Sequence, residues 1–123
     1  MPKTKKRSYK IPLFPAGRLY VLFGKSFAKI AKEENLNGAY KDHAAGVWVW
    51  EGDYYVGFGL DEFSIPIIAH EAVHVANNIL DHVGVKADHN NDETLAYMVS
   101  WVVGKVLDAQ HDLKVGAMKQ QGK

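Results

Sequence analysis

The feature that most restricts this chain is His70-Glu71-Ala72-Val73-His74, set inside a stretch from Ser64 to Gly84 whose apolar residues recur at helical spacing. Ile68, Ala72, Val75, Ala76, Ile79, Leu80 and Val83 make up that stripe. Ser64 suits the N-cap, Pro66 is tolerated in the first turn, and Gly84 can close the end. Residues four apart share one face of a helix, so His70 and His74 aim two imidazoles at one point. A tetrahedral zinc ion needs that bite from its first two ligands. Glu71 follows about 100° further round the helix. It is turned away from ligation but near enough to take a proton from a water activated there. The plainer reading is a buried helix with two solvated or hydrogen-bonded histidines; the long helical setting favours zinc.

Composition sets the limits of that chemistry. The 123 residues fit one domain, and an apolar content of 47% can bury a real core. There is no cysteine, so a metal must be held by His, Asp, Glu and water. A net charge of +1 gives no overall pull toward nucleic acid or membrane. No apolar run reaches membrane-spanning length, and no signal-peptide segment follows the basic start, so a cytoplasmic protein is expected.

Lys3, Lys5, Lys6, Arg7 and Lys10 make residues 1–10 a basic, solvated, poorly ordered tail ahead of a single domain over 11–123. Arg18–Gly24 suits a strand, Ser26–Asn35 a helix with Phe27, Ile30 and Ala31 inward, closed by Asn37-Gly38. Gly46–Glu51 and Tyr54–Leu60 read as two strands of a hairpin turning at Gly52-Asp53. Gly57 and Gly59 leave one face of the second strand bare. The plainer cause is close approach of another backbone; the functional one is an edge strand open to an extended peptide. A second long helix runs from about Asn91 to Asp108, with Leu95, Val99, Val102 and Val106 as its apolar stripe, and the end from about His111 frays.

Two histidines leave zinc short of a protein ligand. Glu93, in the first turn of the second long helix, is the leading candidate. Asp81, His82, Asp88 and His89 are rivals, His89 first among them because imidazole is an equally good ligand. Asn90 with Glu93 also resembles a capping box, which would employ the carboxylate structurally.

With eighteen residues between His74 and Glu93, and Glu93 in the sequence Glu93-Thr-Leu-Ala-Tyr97, the chain resembles the gluzincin pattern. Given its length it is similar to the minigluzincins, small catalytic-core relatives of thermolysin. The resemblance covers roughly residues 46–104, with six residues as its firm part. It implies that His70, His74 and Glu93 hold zinc and that Glu71 is the general base. It also implies a small sheet whose edge strand, here Tyr54–Leu60, holds substrate beside the motif helix. Thermolysin-like enzymes carry an acid where this chain has Tyr97. The tyrosine hydroxyl could orient a ligand or stabilise an oxyanion. Tyr54, Tyr55 and His43 are further candidates for an oxyanion donor; His111 lies about 27 Å beyond Glu93 along an unbroken helix.

The expected fold is therefore α+β and zincin-like, a small antiparallel sheet packed on helices. The expected function is zinc-dependent hydrolysis of peptide bonds in a peptide or protein substrate, with Glu71 and Tyr97 as catalytic residues. The alternative is an inactive zincin-fold binding protein, with or without a structural metal. Nucleic acid is not expected as a partner beyond weak contact through the basic tail; recruitment to DNA, as in SprT-like proteases, is a third and lesser reading.

Overall fold

The structure, a computed structural model, describes residues 4–13, 17–38, 40, 42–86, 88–90 and 92–115. Its elements in chain order are β1 (Lys5–Lys10), β2 (Arg18–Gly24), α1 (Phe27–Glu33), β3 (Ala45–Trp50), β4 (Asp53–Gly59), α2 (Ile65–His82) and α3 (Asp92–Asp112). The fold is α+β, with one four-stranded sheet ordered β1-β2-β4-β3. That sheet is mixed, which corrects the antiparallel expectation. β2 and β4 run parallel, Val21 opposite Val56, while β1–β2 and β3–β4 are antiparallel. Parallel neighbours cannot be joined by a tight turn and need a crossover. Here α1 and β3 both lie within it.

This topology puts β4 inside the sheet, so Tyr54–Leu60 is not the edge strand. The edges are β1 and β3. The bare face of β4 has the plainer cause: a Cβ at Gly59 would lie 2.7 Å from the backbone nitrogen of Phe27. The glycine is what lets α1 settle onto the sheet. The β3–β4 hairpin forms, but it turns one residue earlier than expected. Trp50 pairs with Asp53, leaving Glu51 and Gly52 as the two central residues, with φ of 50° and 81°. Positive φ at both positions is the turn whose twist matches the flanking strands.

The basic segment also departs from expectation. Lys5–Lys10 is a paired strand, and its charges are partnered by the ends of two helices. Arg7 lies 3.5 Å from Asp112, Lys6 lies 3.8 Å from Glu34, and the Lys5 ammonium donates to the Leu113 carbonyl at 3.3 Å. Cations are favoured beside helix C-termini. Residues 1–3 lie outside the described residues.

One face of the sheet, with Leu19, Val21, Phe23, Val56 and Phe58, packs on α2 and α3. α2 contributes Ile68, Ala72, Val75, Ala76 and Ile79, and α3 contributes Met98, Val102, Val106 and Ala109. The stripe on α3 is thus rotated from the one expected, with Leu95 and Val99 at its margin. The opposite face holds Leu22 with Phe27, Ile30 and Ala31 of α1. All three helices end the same way, on a residue of positive φ at Asn35, Gly84 and Lys114. In each case the next N–H reaches back across the last turn: Leu36 to Ala31, Val85 to Leu80, Val115 to Gln110. Hence α1 stops before Asn37-Gly38, and α3 runs on to Asp112 with a defined end rather than fraying at His111. Among the described residues, no helix is long and apolar enough to cross a membrane.

Candidate metal centre

The site begins with the way α2 divides its faces. Ile68, Ala72 and Val75 are buried against the sheet, and Glu71 is buried with them, whereas His70, Val73 and His74 face solvent. Pro66 near the start leaves no backbone donor stranded, because the first N–H groups of a helix lack intrahelical partners anyway. Ser64 has the extended backbone of an N-cap but its side chain makes no cap bond.

The two imidazoles meet. Their Nε2 atoms are 3.3 Å apart, with ring centroids at 4.9 Å and planes inclined by 73°. This separation is long for an N–H···N hydrogen bond. It does match two bonds of about 2.0–2.1 Å meeting at a tetrahedral angle, which places the two nitrogens about 3.3–3.4 Å apart. The spacing of this pair fits two of the ligands that zinc needs.

Glu71 is the one charged side chain buried among the described residues, at 9% exposure. Its Oε2 lies 3.9 Å from the His70 Nε2. Burial pushes its carboxyl above the usual range; the charges of His70, His74 and His43 push the other way and only partly offset it. A carboxylate held this way keeps a proton more readily, as a general base working near neutral pH should.

His43 is exposed, its ring against those of Phe27 and Tyr40. It lies 28 residues before Glu71 in the chain, and no local pattern joins them. Its charge is the last of those acting on the Glu71 carboxyl, and β3, which begins at Ala45, packs against α2. The other two oxyanion candidates are employed elsewhere. The Tyr54 hydroxyl is bonded to His82 Nδ1 at 2.7 Å, which also accounts for His82. Tyr55 is stacked between Tyr20 and Trp48 among the residues packed around α1.

The third ligand is not ready-made. Among the described residues, no group of three or more His, Asp or Glu side chains is drawn together closely enough to hold a metal. The reason lies in the length of α2. It continues eight residues past His74 to His82, about 12 Å of helix, and Glu93 sits exposed in the opening turn of α3. Glu93 is not used as a capping-box partner either, since the Asn90 N–H donates to Asp88 Oδ1 at 2.8 Å. His89 and Asp81 are exposed. Tyr97 is 45% exposed, one turn beyond Glu93. Neither a protein-family model, nor a curated protein, nor a solved structure matches this chain.

Proposed function

We propose that this protein is a zinc-dependent peptidase of the HExxH type, with a zincin-like arrangement of its motif helix. The observation that carries the reading is the 3.3 Å Nε2–Nε2 spacing on one face of α2 with a buried carboxylate one residue on. His70, His74 and Glu93 are the residues assigned to the metal, three protein ligands leaving a position for water. Glu93 would have to be brought to the pair from the opening turn of α3, where it stands exposed. When bound, zinc supplies Lewis-acid chemistry, polarising a carbonyl and making water acidic.

The protein's own residues do the rest. Glu71 takes a proton from the attacking water as its oxygen bonds to the carbonyl carbon. The same carboxyl then delivers the proton to the amine as the C–N bond breaks. Its burial favours both steps by holding the proton firmly between them. Tyr97 and His43 are assigned to stabilise negative charge on the carbonyl oxygen.

A zinc titration run beside a peptidase assay on an unstructured protein substrate tests this. Zinc-dependent cleavage that disappears in Glu71→Gln while zinc binding persists is the expected result. Zinc binding with no cleavage would instead favour the second reading, a binding protein that keeps the metal shell without the reaction. Full activity in Glu71→Gln would remove the mechanism altogether.

A further inference from the structure

The free edge of the sheet nearest α2 is β3, and its register determines what a partner strand would meet. Gly59 N–H donates to the Ala44 carbonyl at 2.9 Å, and Gly46 and Trp48 pair with Gly57 and Tyr55. Alternation along an antiparallel pair then turns the backbone groups of Ala45, Val47 and Val49 outward. Side chains directly across from each other share one face of a sheet. A peptide residue opposite Gly46 would thus place its side chain on the α1 face of the sheet, beside a residue that has none.

A hollow of about 210 Å³ lies there. It is too small for the roughly 300–1,000 Å³ of pockets that enclose whole drug-sized ligands, and it suits a single side chain. Phe27 forms its floor: a Cβ on Gly46 would lie 2.4 Å from the Phe27 ring. Tyr40 and His43 stand edge-on to that ring at 86° and 84°, and Trp48 at 60°. The walls are thus mainly aromatic. The hollow lies along β3, the sheet edge that packs against α2, on the face of the sheet opposite that helix. A larger neighbour of about 370 Å³, lined by Glu34, Trp48, Trp50 and Tyr55, is less suited to a ligand. Both faces of the Tyr55 ring are already stacked, on Tyr20 and Trp48.

We propose that the hollow floored by Phe27 is a specificity subsite, which receives an aromatic or large aliphatic side chain from a peptide paired antiparallel to the free edge of β3. The proposal rests on the peptidase reading. α2 follows β4 and returns along it, with Tyr54 at the start of β4 bonded to His82 at the end of α2, so β3 starts toward the half of α2 that carries His70 and Glu71. An antiparallel peptide then lays its residues N-terminal to the cleaved bond along β3. The preference therefore falls on that side of the bond.

The test uses the full chain with zinc and a series of unstructured peptides differing only by Phe, Leu, Ala or Asp at one position, with cleavage mapped by mass spectrometry. Phe and Leu N-terminal to the bond should raise kcat/KM over Ala by roughly 10–100-fold, the worth of burying one large apolar side chain. Tyr40→Ala, which opens a wall, and Asn37→Trp, which intrudes on the hollow, should each bring the Phe-to-Ala ratio toward one. A binding arm uses Glu71→Gln and follows tryptophan fluorescence with the same peptides. Cleavage indifferent to the varied residue, or a preference on the C-terminal side of the bond, overturns the subsite and leaves the peptidase reading standing. No cleavage at all, with Phe peptides still bound more tightly than Ala peptides, supports the pocket and removes only the hydrolysis. Equal binding of all four peptides by Glu71→Gln overturns the subsite.

Discussion

If His70 and His74 hold zinc, the metal must stabilise the folded state, and by an amount the structure allows to be worked out. A ligand that binds only the native protein stabilises it by RT ln(1 + [L]/Kd), so above Kd each tenfold rise in free zinc adds about 1.4 kcal/mol. Unfolding entropy near 60 °C is about 2.1 cal/mol/K per residue, which for 123 residues comes to about 0.26 kcal/mol/K. The melting temperature should therefore climb about 5 °C per decade of free zinc. His74→Ala should abolish that slope. Its side chain is exposed, packs on His70 alone among its described ring and hydrogen-bond contacts, and otherwise acts on Glu71 only through its charge. The metal-free stability of the variant should thus stay within about 0.5 kcal/mol of the parent. Differential scanning calorimetry in zinc buffers, on parent and variant together, measures both quantities. A flat response in the parent, or an undiminished slope in His74→Ala, would refute the assignment of this pair to the metal.

Other expectations follow from the same geometry. Glu93→Gln should lower the affinity for zinc by at least tenfold while His89→Ala leaves it unchanged, read by competition with a fluorescent chelator; the opposite pattern transfers the third ligand to His89. Glu71 has its folded-state pKa raised by burial, so the native protein holds that proton longer than the unfolded chain does. Its contribution to stability therefore falls as pH rises from below the ordinary glutamate value, about 4.3, through the higher folded one. Metal-free Glu71→Gln should lack that decline in urea melts across the acid range, and a decline of equal size in the variant would refute the cause given. Gly59→Ala drives a methyl into the Phe27 backbone and should cost about 1–3 kcal/mol; a neutral result in a thermal melt would mean that α1 does not sit where described. Arg7→Ala removes an exposed pair with Asp112 and should cost no more than about 1 kcal/mol at low salt.

What was legible in the sequence was whatever helix geometry alone decides. His70 and His74 meet because four residues make one turn, and Phe27, Ile30 and Ala31 of α1 turn inward as their spacing requires. Interactions remote in sequence were harder to read. The pairing of β2 with β4 joins segments some 35 residues apart, with no sign of direction in either. β1 was masked by its own lysines, since a strand at a sheet edge can carry charge on both faces. The position of Glu93 depends on where α2 stops, and the residues that stop it, Gly84 and Val85, do so through hydrogen bonds back to Asp81 and Leu80. His43 acts on the Glu71 carboxyl across 28 residues of chain, a relation that no local pattern signals.

The crossover between β2 and β4 has a consequence for the chain as it leaves the ribosome. β1, β2 and α1 emerge first, and one whole side of β2, with Leu19, Val21, Leu22 and Phe23, waits for Asp53–Gly59 to be synthesised. For that interval the nascent protein carries an unpaired apolar strand, the kind of surface on which aggregation starts. Closing a gap of this length is also slow compared with forming the β3–β4 hairpin. Until β4 takes its place inside the sheet, that edge of β2 stays open to pairing with another chain.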